Sequence, residues 1–139
     1  MTTTRPVAGT GILADGPRLL KLALRLDAVV TGVNGLAYLA LAGPLEDLLG
    51  LAPAHAYVLG AFLLVYAVAV AAISRPARPH RTAVTAVIEL NLLWTLLSVV
   101  TVVAGWLSLN AAGATWAVLQ AMTVAGFAAV QYLALRRSR

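Results

Sequence analysis

Residues 56–74 read AYVLGAFLLVYAVAVAAIS and are followed by RPARPHR at 75–81. The first stretch contains no Lys, Arg, Asp or Glu. It is nearly long enough to cross a membrane as a helix, since a hydrocarbon core about 30 Å thick requires about 20 helical residues. The second stretch is short, basic and interrupted by prolines, which is typical of a loop on the cytoplasmic side of a membrane. Together they predict a membrane-spanning helix that ends at the cytoplasm.

Three more apolar segments lie on either side of this one, at about 19–42, 83–106 and 112–135. Because lipid offers the backbone no hydrogen-bonding partner, each segment has to form a helix. The composition agrees, since 61% of the residues are hydrophobic and 11% are charged, against about 45–50% and about 25% in soluble domains. The predicted fold class is all-α, a membrane-embedded four-helix bundle (residues 17–137) that follows a mobile cytoplasmic tail (residues 1–16).

The positions of the basic residues predict the topology. All ten Lys and Arg lie before or early in the first segment, between the second and third, or after the fourth: Arg5, Arg18, Lys21, Arg25, Arg75, Arg78, Arg81, Arg136, Arg137 and Arg139. The two other loops carry none, and one of them holds Glu46 and Asp47. This asymmetry predicts a multi-pass protein of the plasma (inner) membrane with both termini in the cytoplasm. The lipid bilayer is then the predicted partner of this basic chain, and nucleic acid is not.

The loop between the first two spans predicts a short helix of its own. Gly43-Pro44 can open it, Glu46 and Asp47 would occupy its first turn near the positive end of the helix dipole, and Gly50 can end it. We expect this short interfacial helix to lie at the outer membrane surface.

An alternative for the first span is a cleavable signal peptide, because a basic start and an apolar stretch precede Ala40-Leu41-Ala42. Such a signal would contain Asp27 and Asn34 in its apolar stretch and would be unusually long. We therefore favour a retained span, and the topology of the other three is the same either way.

Polar residues recur at helical spacing inside three of the four spans. Ionisable groups within a span cost about 2.5–3.5 kcal/mol each on insertion scales, so they usually face the bundle interior or water. The candidate buried polar site comprises Asp27, Thr31, Asn34 and Tyr38 in the first span, Glu89, Asn91, Thr95 and Ser98 in the third, and Gln120, Thr123 and Gln131 in the fourth. The second span has only Tyr66 and Ser74, and it is predicted to pack against a neighbour or to face lipid.

Depth sorts these residues into two hypothetical layers. At a rise of about 1.5 Å per residue, a layer about 6–12 Å from the cytoplasmic ends holds Asp27, Glu89 and Gln131, and a neutral layer about 18–23 Å deep holds Asn34, Thr95, Ser98, Gln120 and Thr123. The alternative is purely structural, because Asn, Gln, Ser and Thr commonly tie membrane helices together. Arg25 is expected either to form an ion pair with Glu89 or to extend to the cytoplasmic surface.

No metal, cofactor or catalytic residue is predicted. The chain has no Cys, which excludes disulfides and thiolate chemistry; His55 has no acidic neighbour, and His80 belongs to the basic loop. Gly32 and Gly35 suit close helix packing. A stripe of small residues on the fourth span allows another helix to approach, within the bundle, in a homo-oligomer or in another membrane protein: Ala117, Ala121, Ala125 and Ala129.

Short motifs in all four spans carry a resemblance to a family. Over most of residues 18–137 the chain resembles the uncharacterised small four-helix integral membrane proteins of actinobacteria, on the motifs Leu26-Asp27-Ala28, Gly60–Tyr66, Asn91–Trp94, Gln120-Ala121 and Gln131-Tyr132. More remotely, it is similar to the DoxX-like four-helix membrane proteins. It departs from that group because its acidic residue, Glu89, stands in the third span and not in the second. The resemblance implies the fold and supplies no activity.

Three functions are compatible with these features. The favoured one is an accessory or interaction protein, or a small-ligand-binding module, of the plasma membrane. The alternative is a small oligomeric transporter or ion pathway that uses Asp27 and Glu89 as coupling groups. A third is a membrane-embedded enzyme on a lipid-like substrate, with the same carboxylates as acid and base; it lacks a recognisable catalytic constellation and ranks last.

Overall fold

The computed structural model describes residues 15–138, and over that part it consists of helices and short connections. The helices are α1 (Gly16–Ala40), α2 (Ala42–Leu49), α3 (Pro53–Ile73), α4 (Arg81–Ala104) and α5 (Ala111–Arg136). All except α2 are long and apolar enough to cross a membrane, so the predicted all-helical fold with four membrane-length helices is confirmed. The predicted tail, residues 1–16, lies almost wholly outside the described residues, as do Arg5 and Arg139.

Side-chain caps begin two of the long helices. Asp15 accepts a hydrogen bond of 3.1 Å from the backbone N of Arg18 at the start of α1. Asn110 accepts one of 2.8 Å from the backbone N of Gly113 at the start of α5. Each cap satisfies an amide that has no partner within its helix, so polar residues outside the apolar runs set where these two helices begin.

The short helix α2 begins one residue before the predicted Gly43-Pro44 start, at Ala42. Glu46 and Asp47 therefore lie in its second turn, and the prediction that they occupy the first turn was wrong. The helix ends, as predicted, at Gly50, whose φ of 74° is left-handed and is adopted by glycine without steric cost.

The connection between α4 and α5 holds α2 against the bundle. Asn110 donates from its backbone N to Leu49 O at 3.1 Å and from its side-chain Nδ2 to Leu48 O at 3.1 Å. Gly113 lies against the same Leu49 carbonyl, where a Cβ atom would collide. As a result α2 covers one end of the four-helix bundle.

The four long helices form a ring in the order α1, α3, α4, α5, and one seam of that ring is open. α1 packs along α3 and α5, and α4 packs along α5, whereas the backbones of α3 and α4 come close at only a few positions. The backbones of α1 and α3 come into contact at two glycines, Gly35 and Gly60. A Cβ atom on Gly35 would lie 2.9 Å from Gly60 O. This packing agrees with the role predicted for Gly35 and leaves the space in the bundle on the opposite side, between α3 and α4.

The basic clusters meet at one end of the ring. Lys21 Nζ donates to Arg75 O at 3.2 Å, which ties α1 to the connection between α3 and α4. Arg81 Nη1 donates to Leu135 O at 3.1 Å, which ties the start of α4 to the end of α5. Three basic segments that are far apart in sequence therefore share one end of the molecule.

Two apolar clusters fill the two ends of the bundle interior. Leu24 and Val84 are fully buried in the cluster at the basic end, and Leu49 and Ala56 lie in the cluster under α2. The outward faces of the long helices are also apolar, as at Val103, which is 83% exposed; lipid is the solvent that suits such a surface.

Candidate functional site

A fully buried carboxylate lies inside the ring. Asp27 is 0% exposed, and its Oδ1 accepts a hydrogen bond of 3.0 Å from Thr31 Oγ1. Its Oδ2 accepts two more, each 2.8 Å long, from Asn91 Nδ2 and Gln131 Nε2. Tyr66 lies at the edge of this hydrogen-bonded cluster, and its hydroxyl donates to Asn91 Oδ1 at 2.9 Å. We call these five residues the Asp27 network.

Each of the four long helices contributes to the Asp27 network. Asp27 and Thr31 stand one turn apart on α1 and therefore share a face, while Tyr66 comes from α3, Asn91 from α4 and Gln131 from α5. The backbones of α1 and α4 stay apart, and the long side chains of the network cross the interior between them. The network thus adds hydrogen bonds between helices that otherwise share only apolar side-chain packing.

The network satisfies the carboxylate without a cation. None of the three groups that donate to Asp27 carries a positive charge. A buried charge is costly unless hydrogen bonds or a counter-charge offset the loss of water. Here the offset comes from neutral donors, and the second amide hydrogen of Asn91 is also used, in a bond of 3.1 Å to Gln131 Oε1.

A groove opens beside the network, at the seam between α3 and α4. It encloses about 260 Å³ and is lined almost entirely by apolar side chains of the two helices. Across it Phe62 of α3 and Trp94 of α4 stack with their ring centroids 5.7 Å apart and their planes at 4°. Three members of the network contribute to its polar lining, Thr31, Tyr66 and Asn91. Trp94 also lines it, and its indole N–H makes no hydrogen bond within the described residues. We call this cavity the α3–α4 groove.

A second cavity, of about 240 Å³, lies nearer to α2. It shares three lining residues with the α3–α4 groove, Leu59, Trp94 and Leu97, so the two spaces are neighbours on either side of the same side chains. Its wall includes Gln120 and Trp116 of α5.

Two polar pairs join α1 to α5 beside this second cavity. Asn34 Nδ2 donates to Gln120 Oε1 at 3.1 Å, and Trp116 Nε1 donates to Tyr38 OH at 3.0 Å. Each pair satisfies groups that would otherwise face lipid or an apolar cavity. These contacts give both pairs a structural role, since each joins α1 to α5.

The remaining residues of the predicted site do not join the network. Thr95 Oγ1 donates to backbone carbonyls of Asn91 and Ala121, Ser98 lines the second cavity, and Thr123 donates to Leu119 O within its own helix. Asp27 and Gln131 of the predicted carboxylate layer do meet, whereas the third member of that layer, Glu89, is exposed.

Glu89 and Arg25 are not brought together. Both side chains are exposed, they stand on helices whose backbones stay apart, and no hydrogen bond or ion pair joins them within residues 15–138. The structure therefore places Arg25 and Glu89 on different outer surfaces of the bundle.

The predicted alanine stripe of α5 lies partly inside the bundle. Ala121 is buried and its carbonyl accepts a hydrogen bond from Thr95 of α4, while Ala117 lines the second cavity. Ala125 is partly buried, and only Ala129 is exposed. Assembly with a second copy through this stripe stays a prediction.

Tyr66 is the residue that the sequence interpretation missed. The second span was expected to stay outside the polar interior, but the Tyr66 hydroxyl binds Asn91 and also lies 3.2 Å from Val87 O. The signal was present, since a phenol in the middle of a membrane helix needs a hydrogen-bonding partner. Its neighbour Phe62 stacks on Trp94 of α4.

No protein-family model, curated protein or solved structure matches the chain. The resemblance to actinobacterial four-helix proteins and to the DoxX-like group stays a prediction. The geometry of the network and the groove therefore carries the functional argument. Among the described residues no group of three or more His, Cys, Asp or Glu side chains is placed to hold a metal ion.

Proposed function

We propose that the chain is a multi-pass plasma-membrane protein that takes a small, largely apolar ligand from the bilayer into the α3–α4 groove. Both termini face the cytoplasm in this proposal. The contacts of Lys21 and Arg81 support that orientation, because they gather three basic segments at one end, and such segments are retained on the cytoplasmic side. α2, with Glu46 and Asp47, then lies at the outer surface.

The groove itself is the observation that carries the proposal. Ligand sites are concave and mostly apolar, with a few polar groups that fix orientation, and they occur between the helices of bundles. The α3–α4 groove has this composition, with apolar walls and a polar part made of Thr31, Tyr66 and Asn91. Because it lies at the open seam between two membrane-length helices, a ligand can enter sideways from the lipid.

The geometry favours this function over an ion pathway or an enzyme. Both alternatives rest on Asp27 and Glu89 acting together, and Asp27 is enclosed in the bundle while Glu89 is exposed. The carboxylate of Asp27 is also enclosed by its own donors and does not line the groove. In the ligand-binding function Asp27 acts indirectly, by orienting the polar side chains that do line the groove.

Photolabelling in liposomes tests the proposal. A medium-chain aliphatic alcohol that carries a diazirine is irradiated with the purified full chain, and the labelled residues are mapped by mass spectrometry. We expect saturable labelling of α3 and α4 residues that line the groove. Labelling that is spread evenly over the outward faces of the long helices and does not saturate would contradict the proposal.

Two neighbouring leucines of α4 provide a matched pair of variants. Leu93 is 48% exposed and lines the groove, whereas Leu92 is 52% exposed and does not. Leu93→Trp should fill the groove and reduce its labelling severalfold, and Leu92→Trp should leave the labelling unchanged. Equal effects of the two substitutions would show that the label does not occupy the groove.

A further inference from the structure

A further cavity lies at the basic end of the bundle, where α1 and α4 begin and α5 ends. It encloses about 180 Å³, several times the about 30 Å³ that one water molecule takes up in the liquid. Arg78 and Arg81 line it together with the apolar residues Pro17, Leu20 and Leu135. We call it the basic-end cavity. It shares no lining residue with the α3–α4 groove, so the two sites are separate.

Both arginines of the basic-end cavity keep hydrogen-bond donors for a ligand. Arg81 Nη1 donates to Leu135 O at 3.1 Å, and because both residues line the cavity, this bond holds the guanidinium at its wall. A guanidinium has several N–H donors, and the bond to Leu135 uses only one of them. Arg78 is exposed and makes no hydrogen bond or ion pair within residues 15–138.

The charge around the cavity selects an anion. None of the five acidic residues of the chain lines it. Asp15, two residues before Pro17, accepts a hydrogen bond from the backbone N of Arg18 and caps α1. The three basic segments meet at this end, so their summed field attracts negative charge and repels a cation.

We infer that the basic-end cavity binds the phosphate group of an anionic phospholipid. The planar guanidinium of arginine can donate to two oxygens of one phosphate at once. Basic pockets between membrane helices on the cytoplasmic side bind lipid head groups, and in the proposed topology this end faces the cytoplasm. The inference does not depend on ligand binding in the α3–α4 groove.

The surroundings of the cavity favour a lipid over a soluble phosphate. Its walls come from the ends of three membrane-length helices, and helix ends lie at the depth of the head groups. Tyr132, one turn before Leu135, is 51% exposed, and Arg136 lies 5.8 Å from its ring centroid. Tyrosine is enriched at the membrane–water interface, which agrees with this depth. The apolar walls at Pro17, Leu20 and Leu135 suit the glycerol backbone and the first methylenes of a lipid.

A comparison of two lipids on the wild-type chain tests the inference. The full chain is reconstituted in vesicles that contain phosphatidylglycerol and phosphatidylcholine in equal amounts and with identical acyl chains, and the lipids that it retains are counted by native mass spectrometry. We expect one phosphatidylglycerol per chain, retained in preference to phosphatidylcholine, because choline adds a positive charge beside the two arginines. Equal retention of the two lipids overturns the inference.

Two arginines of the same connection provide matched variants. Arg78 and Arg75 are both exposed, but only Arg78 lines the cavity. Loss of a charged hydrogen-bonded contact predicts that Arg78→Gln lowers the ratio of retained phosphatidylglycerol to phosphatidylcholine about tenfold. Arg75→Gln removes only a screened attraction over a longer distance and should lower the ratio about two- to threefold. Equal effects would show that the lipid responds to the charge of the whole end, which overturns the assignment to the cavity.

A soluble competitor separates the two sources of phosphate. Millimolar glycerol phosphate is added to the wild-type vesicles before the protein is released. The preference for phosphatidylglycerol should persist, because the lipid also packs against the apolar walls. Loss of the preference would identify a soluble phosphate as the better ligand and overturn the lipid as the occupant. This arm and the comparison of two lipids use the wild-type chain, so they decide whether or not the variants fold.

Discussion

Replacing Asp27 separates the charge of the buried group from its hydrogen bonds. Asp27→Asn has nearly the same shape, and its carbonyl oxygen can accept from Asn91 and Gln131 in the position of Oδ2. Its amide nitrogen then takes the position of Oδ1 and donates to Thr31, whose hydroxyl accepts as readily as it donates. All three hydrogen bonds survive with one reversed, whereas Asp27→Ala removes all three.

The structure gives the size of the difference. Hydrogen bonds between membrane helices contribute about 0.6 kcal/mol on average and up to about 1.7 kcal/mol. Loss of three bonds predicts that Asp27→Ala lowers the free energy of unfolding by about 2–5 kcal/mol. Because Asp27→Asn keeps the hydrogen bonds, we expect it to change that free energy by less than about 1 kcal/mol.

The assay is an SDS titration of the purified protein in mixed micelles, followed by circular dichroism and tryptophan fluorescence. Asp47→Ala serves as a control, since it removes an exposed acidic residue of α2 and should leave the midpoint nearly unchanged. If Asp27→Asn destabilises the protein as much as Asp27→Ala, the reasoning is refuted, because the negative charge itself would then hold the network together.

Three other predictions follow from separate parts of the chain. The sequence has no Cys, so Asp47→Cys should react with an impermeant maleimide on intact cells and Arg78→Cys only after permeabilisation; the reverse pattern contradicts the topology. Gly35→Ala should destabilise the protein by about 1–3 kcal/mol in the SDS titration, because the new Cβ meets backbone. The control Gly126→Ala has nothing within 4 Å of its new Cβ and should be neutral or stabilising by roughly 0.5–1 kcal/mol; equal effects would exclude close packing as the cause. Glu89→Gln should change stability by less than about 0.5 kcal/mol and leave groove labelling intact, and loss of labelling would show that Glu89 belongs to the site.

The number and type of the membrane-length helices could be predicted because they depend on segment length and backbone satisfaction alone. The rotation of each helix could not. Glu89 and Asn91 are two residues apart, which places them about 200° apart around a helix, so both could not face the interior. Both were candidates for the polar site, and only Asn91 is buried.

The open seam between α3 and α4 could not be predicted from the sequence either. The pair Gly32 and Gly35 indicated a close contact for α1, but the spacing does not say which helix accepts it. The partner is Gly60 of α3, and this choice draws α3 towards α1 and away from α4. In lipid, where every outward face is apolar, the pattern of hydrophobic residues cannot distinguish the side that packs from the side that opens.

Native mass spectrometry of the full chain, released from membranes that contain 1-decanol, tests the central claim most directly by counting bound molecules per chain. The groove predicts one retained alcohol for the wild type and for Leu92→Trp, and none for Leu93→Trp. Retention of the alcohol by all three proteins to the same extent would contradict the assignment of the α3–α4 groove as the ligand site.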